Sequence, residues 1–393
     1  MSLAPVTAAI PRGVSTSNQQ KVAPWANSLA ATGVPVFLLL VFLLAYPTPA
    51  CALEPTSPFD DLASHATAAR DQGNLALAIE LYSRAEQLKP DWAEGWFYLG
   101  LLQYSSNAFP SAIDAFNHFL LIQPGAAPAL ALRGLSEFET GAYEDALRDL
   151  EQGVAEGAAN EPRNEQIIRY HFAQLLTRAG RFEDAITQYQ FFAAKHINNP
   201  DLQLGLGLAG MRVQALPKDT PAEDRAFLQS VGSAGYTFLS GDSDGAQKQF
   251  NQLIAGNPSS PELFFFYGVL LFSHSPDLAI DQFRNEVALA PGSPYAHAML
   301  AYSLMIAGRY VEARQDAQRA LAVAPDMEMA QIALGRSLAE QGDTQRAAEL
   351  LNQVLQRDPD NLEAHMGLAA IYSRSGRRED AYRERKVCLG LAQ

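Results

Sequence analysis

Cysteine is nearly absent from this chain. Cys51 and Cys388 are the two among 393 residues, too few for a disulfide framework, so packing alone has to hold the fold. Charge is sparse too, at 18% of residues against 48% hydrophobic, a balance that suits extensive close contacts and not disorder. Positive charge is the scarcer sign. The first 52 residues hold Arg12 and Lys21 and no acid, which leaves 27 basic against 43 acidic side chains in the remainder. Phosphate backbones demand clustered Lys and Arg, so no nucleic-acid partner is expected. The one basic concentration runs through Arg374, Arg377, Arg378, Arg383, Arg385 and Lys386. It is interleaved with Glu379, Asp380 and Glu384, as on a solvated end helix.

A catalytic constellation is missing as well. The histidines at 65, 118, 171, 196, 274, 297 and 365 are scattered without ligand spacing, and no Ser-His-Asp or Cys-His set stands out. Two motifs look chemical. Gly205, Gly207 and Gly210 spell G-x-G-x-x-G with Glu223 at the distance of a ribose-binding acid. That fingerprint needs a strand before it and a helix after it, whereas these glycines lie inside a predicted helix. Asp242, Asp244 and Gly245 hint at a calcium loop, yet Leu253 stands where the bidentate Glu belongs. No cofactor, metal or catalytic residue is therefore expected, and enzyme is a distant third among the functions considered.

What is present is a period of about 34 residues from Phe59 to the end. Counting from Phe59, Ala66 stands at position 8, Gly73 at 15, Ala78 at 20, Tyr82 at 24, Ala85 at 27 and Pro90 at 32. Further copies start near Ala93, Ala127, Gln166, Phe227, Pro261, Pro294, Glu328 and Leu362. Small residues at 8 and 20, such as Gly100 with Ala112 or Gly335 with Ala347, let two helices approach closely. Glycine at 15 ends the first helix in a left-handed turn, and proline at 32 stops the second. Apolar residues at 4, 7, 11 and 24 make a stripe that one copy cannot bury alone. His297 and His365 both fall at position 4, and Cys388 at position 27, all read as packing sites.

These anchors resemble the tetratricopeptide repeat, and the resemblance covers nearly all of the chain after residue 58. It implies an all-α fold, a right-handed superhelical solenoid of stacked antiparallel helix pairs. Four repeats are expected over 53–199 and five over 227–393. Between them, 200–226 reads as a degenerate repeat helix, 201–215, packed on the following unit, and a Pro-flanked link from Leu216 to Pro221. About five extra residues after Ala155 lengthen another connection.

In that family positions 2, 5, 9 and 12 of each first helix line an inner groove that binds segments of partner proteins. Carried over, they give Glu94, Phe97, Leu101 and Tyr104, then Ala131, Leu135 and Phe138, then Tyr170, Gln174 and Thr177. Later copies give Phe265, Val269 and Phe272, then Tyr295, Ala298, Tyr302 and Met305. The lining is apolar and aromatic, which suits apolar anchors of a partner chain and equally suits packing between neighbouring first helices. The family's clamp for a terminal carboxylate needs Lys at 5 and Asn at 9, and neither occurs in any copy.

Residues 1–52 stand apart from the repeats. Arg12 and Lys21 precede an apolar run, Val34 to Tyr46, followed by small residues around Ala50, Cys51 and Ala52. This is the order of an export signal, cleaved after Ala50 or Ala52. An uncleaved anchor over Ser28 to Tyr46 and lipid attachment at Cys51 are the alternatives. Each places Glu54 onward outside, in the periplasm or secreted. The functional expectation is a non-catalytic scaffold in the cell envelope that grips a protein segment. The alternative is a structural component of an envelope assembly for secretion, pilus formation or polysaccharide export.

Overall fold

The computed structural model describes residues 57–160 and 164–391, and the regular structure there is entirely helical. The apolar run and Cys51 lie outside the described residues, as do 161–163 in the lengthened connection. Among the described residues, no helix is long and apolar enough to cross a membrane. The chain forms two compact units, Met1–Ala158 and Ala159–Gln393.

In the first unit, α1 (Pro58–Asp71) pairs with α2 (Leu75–Leu88), α3 (Ala93–Ser105) with α4 (Phe109–Ile122), and α5 (Ala127–Thr140) with α6 (Tyr143–Ala155). The second opens with the pair α7 (Glu165–Arg178) and α8 (Phe182–Ala194). After α9 (Pro200–Gly210), α10 (Ala222–Leu239) leads into α11 (Ser243–Gly256). Four more pairs follow: α12 (Leu263–Leu271) with α13 (Pro276–Leu289), α14 (Pro294–Ile306) with α15 (Tyr310–Val323), α16 (Glu328–Glu340) with α17 (Thr344–Arg357), and α18 (Leu362–Arg374) with α19 (Arg378–Leu391).

Position 8 works by subtraction. A Cβ at Gly100 would stand 2.8 Å from the Phe116 ring, one at Gly268 2.6 Å from Phe283, and one at Gly335 3.1 Å from Leu351. The bulky side chain of each second helix thus sits directly on the bare backbone of the first. Phe116 and Phe283 are fully buried as a result. Turns between paired helices use the left-handed conformation: Gly141 ends α5 with φ 84°, and Asn107 takes the same role after α3 with φ 58°.

A second recurring contact ties α3, α14, α16 and α18 to the pair before each of them. The proline at position 32 leaves its carbonyl free at the end of a helix, and the side chain at position 4 of the next copy donates to it. Trp96 Nε1 reaches Pro90 O at 2.9 Å and Gln331 Nε2 reaches Pro325 O at 2.8 Å. His297 Nε2 lies 3.0 Å from Pro291 O, and His365 Nε2 lies 2.9 Å from Pro359 O. The two histidines are packed inside, as position 4 implies, and each also presents Nδ1 to a carboxylate, Asp316 at 2.9 Å and Glu384 at 2.6 Å.

The break in phase is built differently from the expectation. The helix expected over 201–215 ends at Gly210, because Arg212 turns left-handed at φ 54°. Its companion is α10, which starts five residues ahead of the period and packs along α9. Gly205, Gly207 and Gly210 face that contact and neighbouring aromatics: a Cβ at Gly207 would collide with the Leu228 carbonyl, and one at Gly232 with the Gln203 carbonyl. Asp242, the supposed calcium ligand, caps α11 by accepting from the Gly245 amide at 2.9 Å.

Buried glutamate marks a weak point in the first unit. Glu86 is 3% exposed, both its carboxylate oxygens lack hydrogen-bond partners, and one lies against Gly95. Burial, and secondarily Asp91, push its carboxyl from 4.5 up to about 8. A raised carboxyl favours the protonated fold, so this contribution is present below 4.5 and is lost as pH rises towards 8.

Two outcomes follow. Gly232→Ala should lower stability by more than about 3 kcal/mol in thermal or urea unfolding, because a backbone carbonyl cannot yield as a side chain can. The control Gly256→Ala, in open space at the end of α11, should be neutral or stabilising by up to about 1 kcal/mol. Glu86→Leu, which repeats the apolar residue of Leu120 one copy later, should remove a fall in stability of at most about 1.4 kcal/mol per pH unit between pH 4.5 and 8. An unchanged stability–pH curve in that variant would contradict the assignment.

Candidate functional site

The first helices of the pairs carry the residues expected to meet a partner. In the first unit Phe97, Leu101 and Tyr104 are spaced four and three residues apart, so they share one face of α3 and each is half-buried. The Phe97 ring is held 5.3 Å from Phe119 and 6.2 Å from Phe116, and Tyr104 lies edge-on to Phe109 at 5.8 Å. Burial, with Glu139 nearby, raises the Tyr104 hydroxyl to about 12, so it stays a neutral donor. Glu94 at the start of the same face is exposed. On α5 the outcome differs: Ala131, Leu135 and Phe138 are 2%, 3% and 6% exposed and serve the interior.

The second unit shows the same division. Tyr170 on α7 is half-buried, with its hydroxyl raised to about 12 by burial and by Asp201, while Gln174 and Thr177 are buried. Val269 on α12 and Phe272 just after it are half-buried, and Phe265 is inside at 3% exposure. On α14, Tyr295 is 49% exposed and Tyr302 half-buried, whereas Ala298 and Met305 are enclosed. Phe138, Phe265 and Met305 therefore offer a partner almost no surface.

Contacts run along this face from one first helix to another. Phe272 and Tyr302 have ring centroids 5.9 Å apart. Tyr302 Oη donates to Glu363 on α18, and Arg336 on α16 lies 3.9 Å from the same carboxylate. Burial and Glu363 hold the Tyr302 hydroxyl well above its ordinary range. Arg336 and Glu363 occupy positions 9 and 2, so the position count that selected the aromatics also points to them. Polar clips thus lie among the aromatic residues, a feature that an apolar reading of the lining overlooks.

Among the described residues, no group of three or more His, Cys, Asp or Glu side chains is placed to hold a metal ion. The basic run 374–386 is partly paired internally: Arg374 at the end of α18 pairs with Glu340 at 2.6 Å, and Arg377 and Arg383 both pair with Asp380.

Stacked helical hairpins with a packed interior and a half-exposed first-helix face define a helical repeat scaffold, a class that generally binds proteins. Family models described as tetratricopeptide or TPR repeats match residues 67–107, 170–227, 273–328 and 338–384. The chain is a tetratricopeptide repeat protein. A TPR repeat-containing protein of Methanocaldococcus jannaschii is 21% identical over 345 residues, 83% of this chain and 55% of that protein. Cellulose synthase operon protein C of Xanthomonas axonopodis pv. citri is 27% identical over 202 residues, 49% of this chain and 13% of its own length. Cellulose synthase 2 operon protein C of Komagataeibacter xylinus is 25% identical over 373 residues, 84% of this chain and 27% of that protein. The chain thus spans 55% or less of the length of these relatives. Among solved structures, yeast Tom70 is 16% identical with a TM-score of 0.35, covering 84% of this chain and 75% of that one. YrrB, described as a TPR protein with an unusual peptide-binding site, is 15% identical with a TM-score of 0.21, covering 73% and 97%.

Proposed function

We propose that this protein is an exported scaffold of the cell envelope that grips a segment of a partner protein on its first-helix faces. The observation that carries the reading is the half-exposed aromatics on or beside first helices in each unit, Phe97 and Tyr104 in the first and Tyr170, Phe272, Tyr295 and Tyr302 in the second. Rigid rings with an exposed edge bury much apolar area at little entropic cost, and Tyr adds a hydrogen bond. Export is supported by the order of charge, apolar run and small residues in 1–52.

A second reading, a structural part of a polysaccharide-export assembly, is favoured by the names of two relatives encoded in cellulose synthase operons. The two differ in company. A free binding module leaves the envelope fraction as a small complex, whereas an assembly component travels at high mass with membrane proteins.

The test uses the chain as bait against envelope extract, with captured proteins quantified for wild type and for Phe97→Ala, Tyr104→Ala and Tyr302→Ala. Each ring is half-exposed, so helical content should be kept while capture of the specific partner falls at least about tenfold, the loss of a ~1.4 kcal/mol hot spot. Equal capture by all four proteins would exclude the first-helix faces as the binding surface.

A further inference from the structure

Arg212 belongs to no repeat helix, yet its side chain fills part of the first-helix face. It follows α9 with φ 54°, in a left-handed helix-end turn closed by the Arg212 amide to Ala209 O at 3.1 Å and the Val213 amide to Leu208 O at 2.9 Å. The guanidinium carbon lies 4.1 Å from the centre of the Tyr295 ring, 4.7 Å from Phe182 and 5.3 Å from Phe265. Nη1 is 2.6 Å from Glu183 Oε1, and Nε is 4.0 Å from Glu262 Oε2. Three rings and two carboxylates surround one cation whose side chain is 9% exposed. Glu262, Phe265 and Tyr295 occupy positions 2, 5 and 2 of their repeats, the positions that face a partner in this family.

Two observations make the cage exchangeable and not merely structural. Tyr295, one wall, is 49% exposed, so the cage opens to solvent. Glu262 Oε2 is buried without a hydrogen-bond partner, which leaves acceptor capacity that Arg212 does not use. Burial, followed by repulsion from Glu286, also raises the Glu262 carboxyl to about 7, as in a site short of positive charge.

We propose that the cage of Phe182, Phe265, Tyr295, Glu183 and Glu262 is a binding site for an arginine side chain of the partner segment, kept closed by Arg212 until the incoming guanidinium displaces it. The proposal rests on the first-helix face being the binding surface and adds the chemistry of what binds there. A planar cation is matched by stacking on the rings and by hydrogen bonding to the carboxylates, a combination that lysine or a neutral side chain does not reproduce. The acidic balance of the chain favours a basic segment over an acidic one.

The probe is the peptide acetyl-Gly-Gly-Arg-Gly-Gly-amide, with citrulline in place of arginine as the neutral isostere, titrated calorimetrically into the full chain. Arg212→Ala, checked for helical content and cooperative unfolding, should bind the arginine peptide at least tenfold more tightly than wild type does. It should not bind the citrulline peptide. Adding Tyr295→Ala should abolish the gain. Wild type gives a readout that does not depend on the folding of the variant: weak, saturable binding of the arginine peptide, lost in Tyr295→Ala alone. No gain in a folded Arg212→Ala, or equal binding of the citrulline peptide, overturns the proposal, as does the absence of saturable binding to wild type if the variant does not fold. Any of these results leaves partner capture through Phe97, Tyr104 and Tyr302 to be judged separately.

Discussion

The contact on which this fold depends is the seating of one bulky side chain on a bare patch of backbone. Phe116 over Gly100, Phe283 over Gly268 and Leu351 over Gly335 are the same event in different copies. Fully burying a side chain of that size is worth roughly 2–3 kcal/mol, but only where the facing helix can come close enough to exclude water. The helix axes, the length of the turn and the site of the next pair all follow from that approach. A solenoid built this way has no central core, so each pair is stable only with its neighbours. The second recurring contact, from a position-4 side chain to a proline carbonyl, is where one pair is registered against the next. Trp96, His297, Gln331 and His365 share no chemistry except an N–H at the right height. The repeat conserves a geometric demand and lets the residue vary.

Much of the architecture was legible because it is written in steric exceptions. A glycine where helices touch, a glycine where a turn goes left-handed and a proline where a helix stops each have one physical explanation, and they recur in phase. Elsewhere the period gave no guidance. α9 ends ahead of Arg212, an arginine in a left-handed conformation that residue preference argues against, in a turn closed by the backbone bonds of Arg212 to Ala209 and Val213 to Leu208. The face residues were legible as positions but not as surfaces. Position 12 leaves Tyr104 half-exposed on α3 and encloses Met305 on α14, because the local approach of the neighbouring helix differs and no residue pattern encodes that distance. Cys388 is a similar case. Position 27 is fully buried at Ala85, Ala320 and Val354, whereas Cys388 is only partly buried.

A binding face on such a scaffold is a matter of what packing leaves over. Residues at positions 2, 5, 9 and 12 can spend their area on neighbouring helices or keep it for a partner, and both uses occur along one face of the second unit. Phe265 has gone inside, Tyr302 is tied to Glu363 by its hydroxyl while keeping part of its ring open, and Tyr295 keeps nearly half of its surface. The out-of-phase segment changes this balance locally. There α10 is the first helix beside α12, and the link after α9 adds a single cation to the face from an irregular stretch of backbone. An ordered helix cannot withdraw one residue without disturbing its hydrogen-bonded turns, but a link bounded by Arg212 and Pro221 can move a side chain with much less disruption. The departure from the period is thus the place along this face where occupancy can change while the stacked pairs stay as they are.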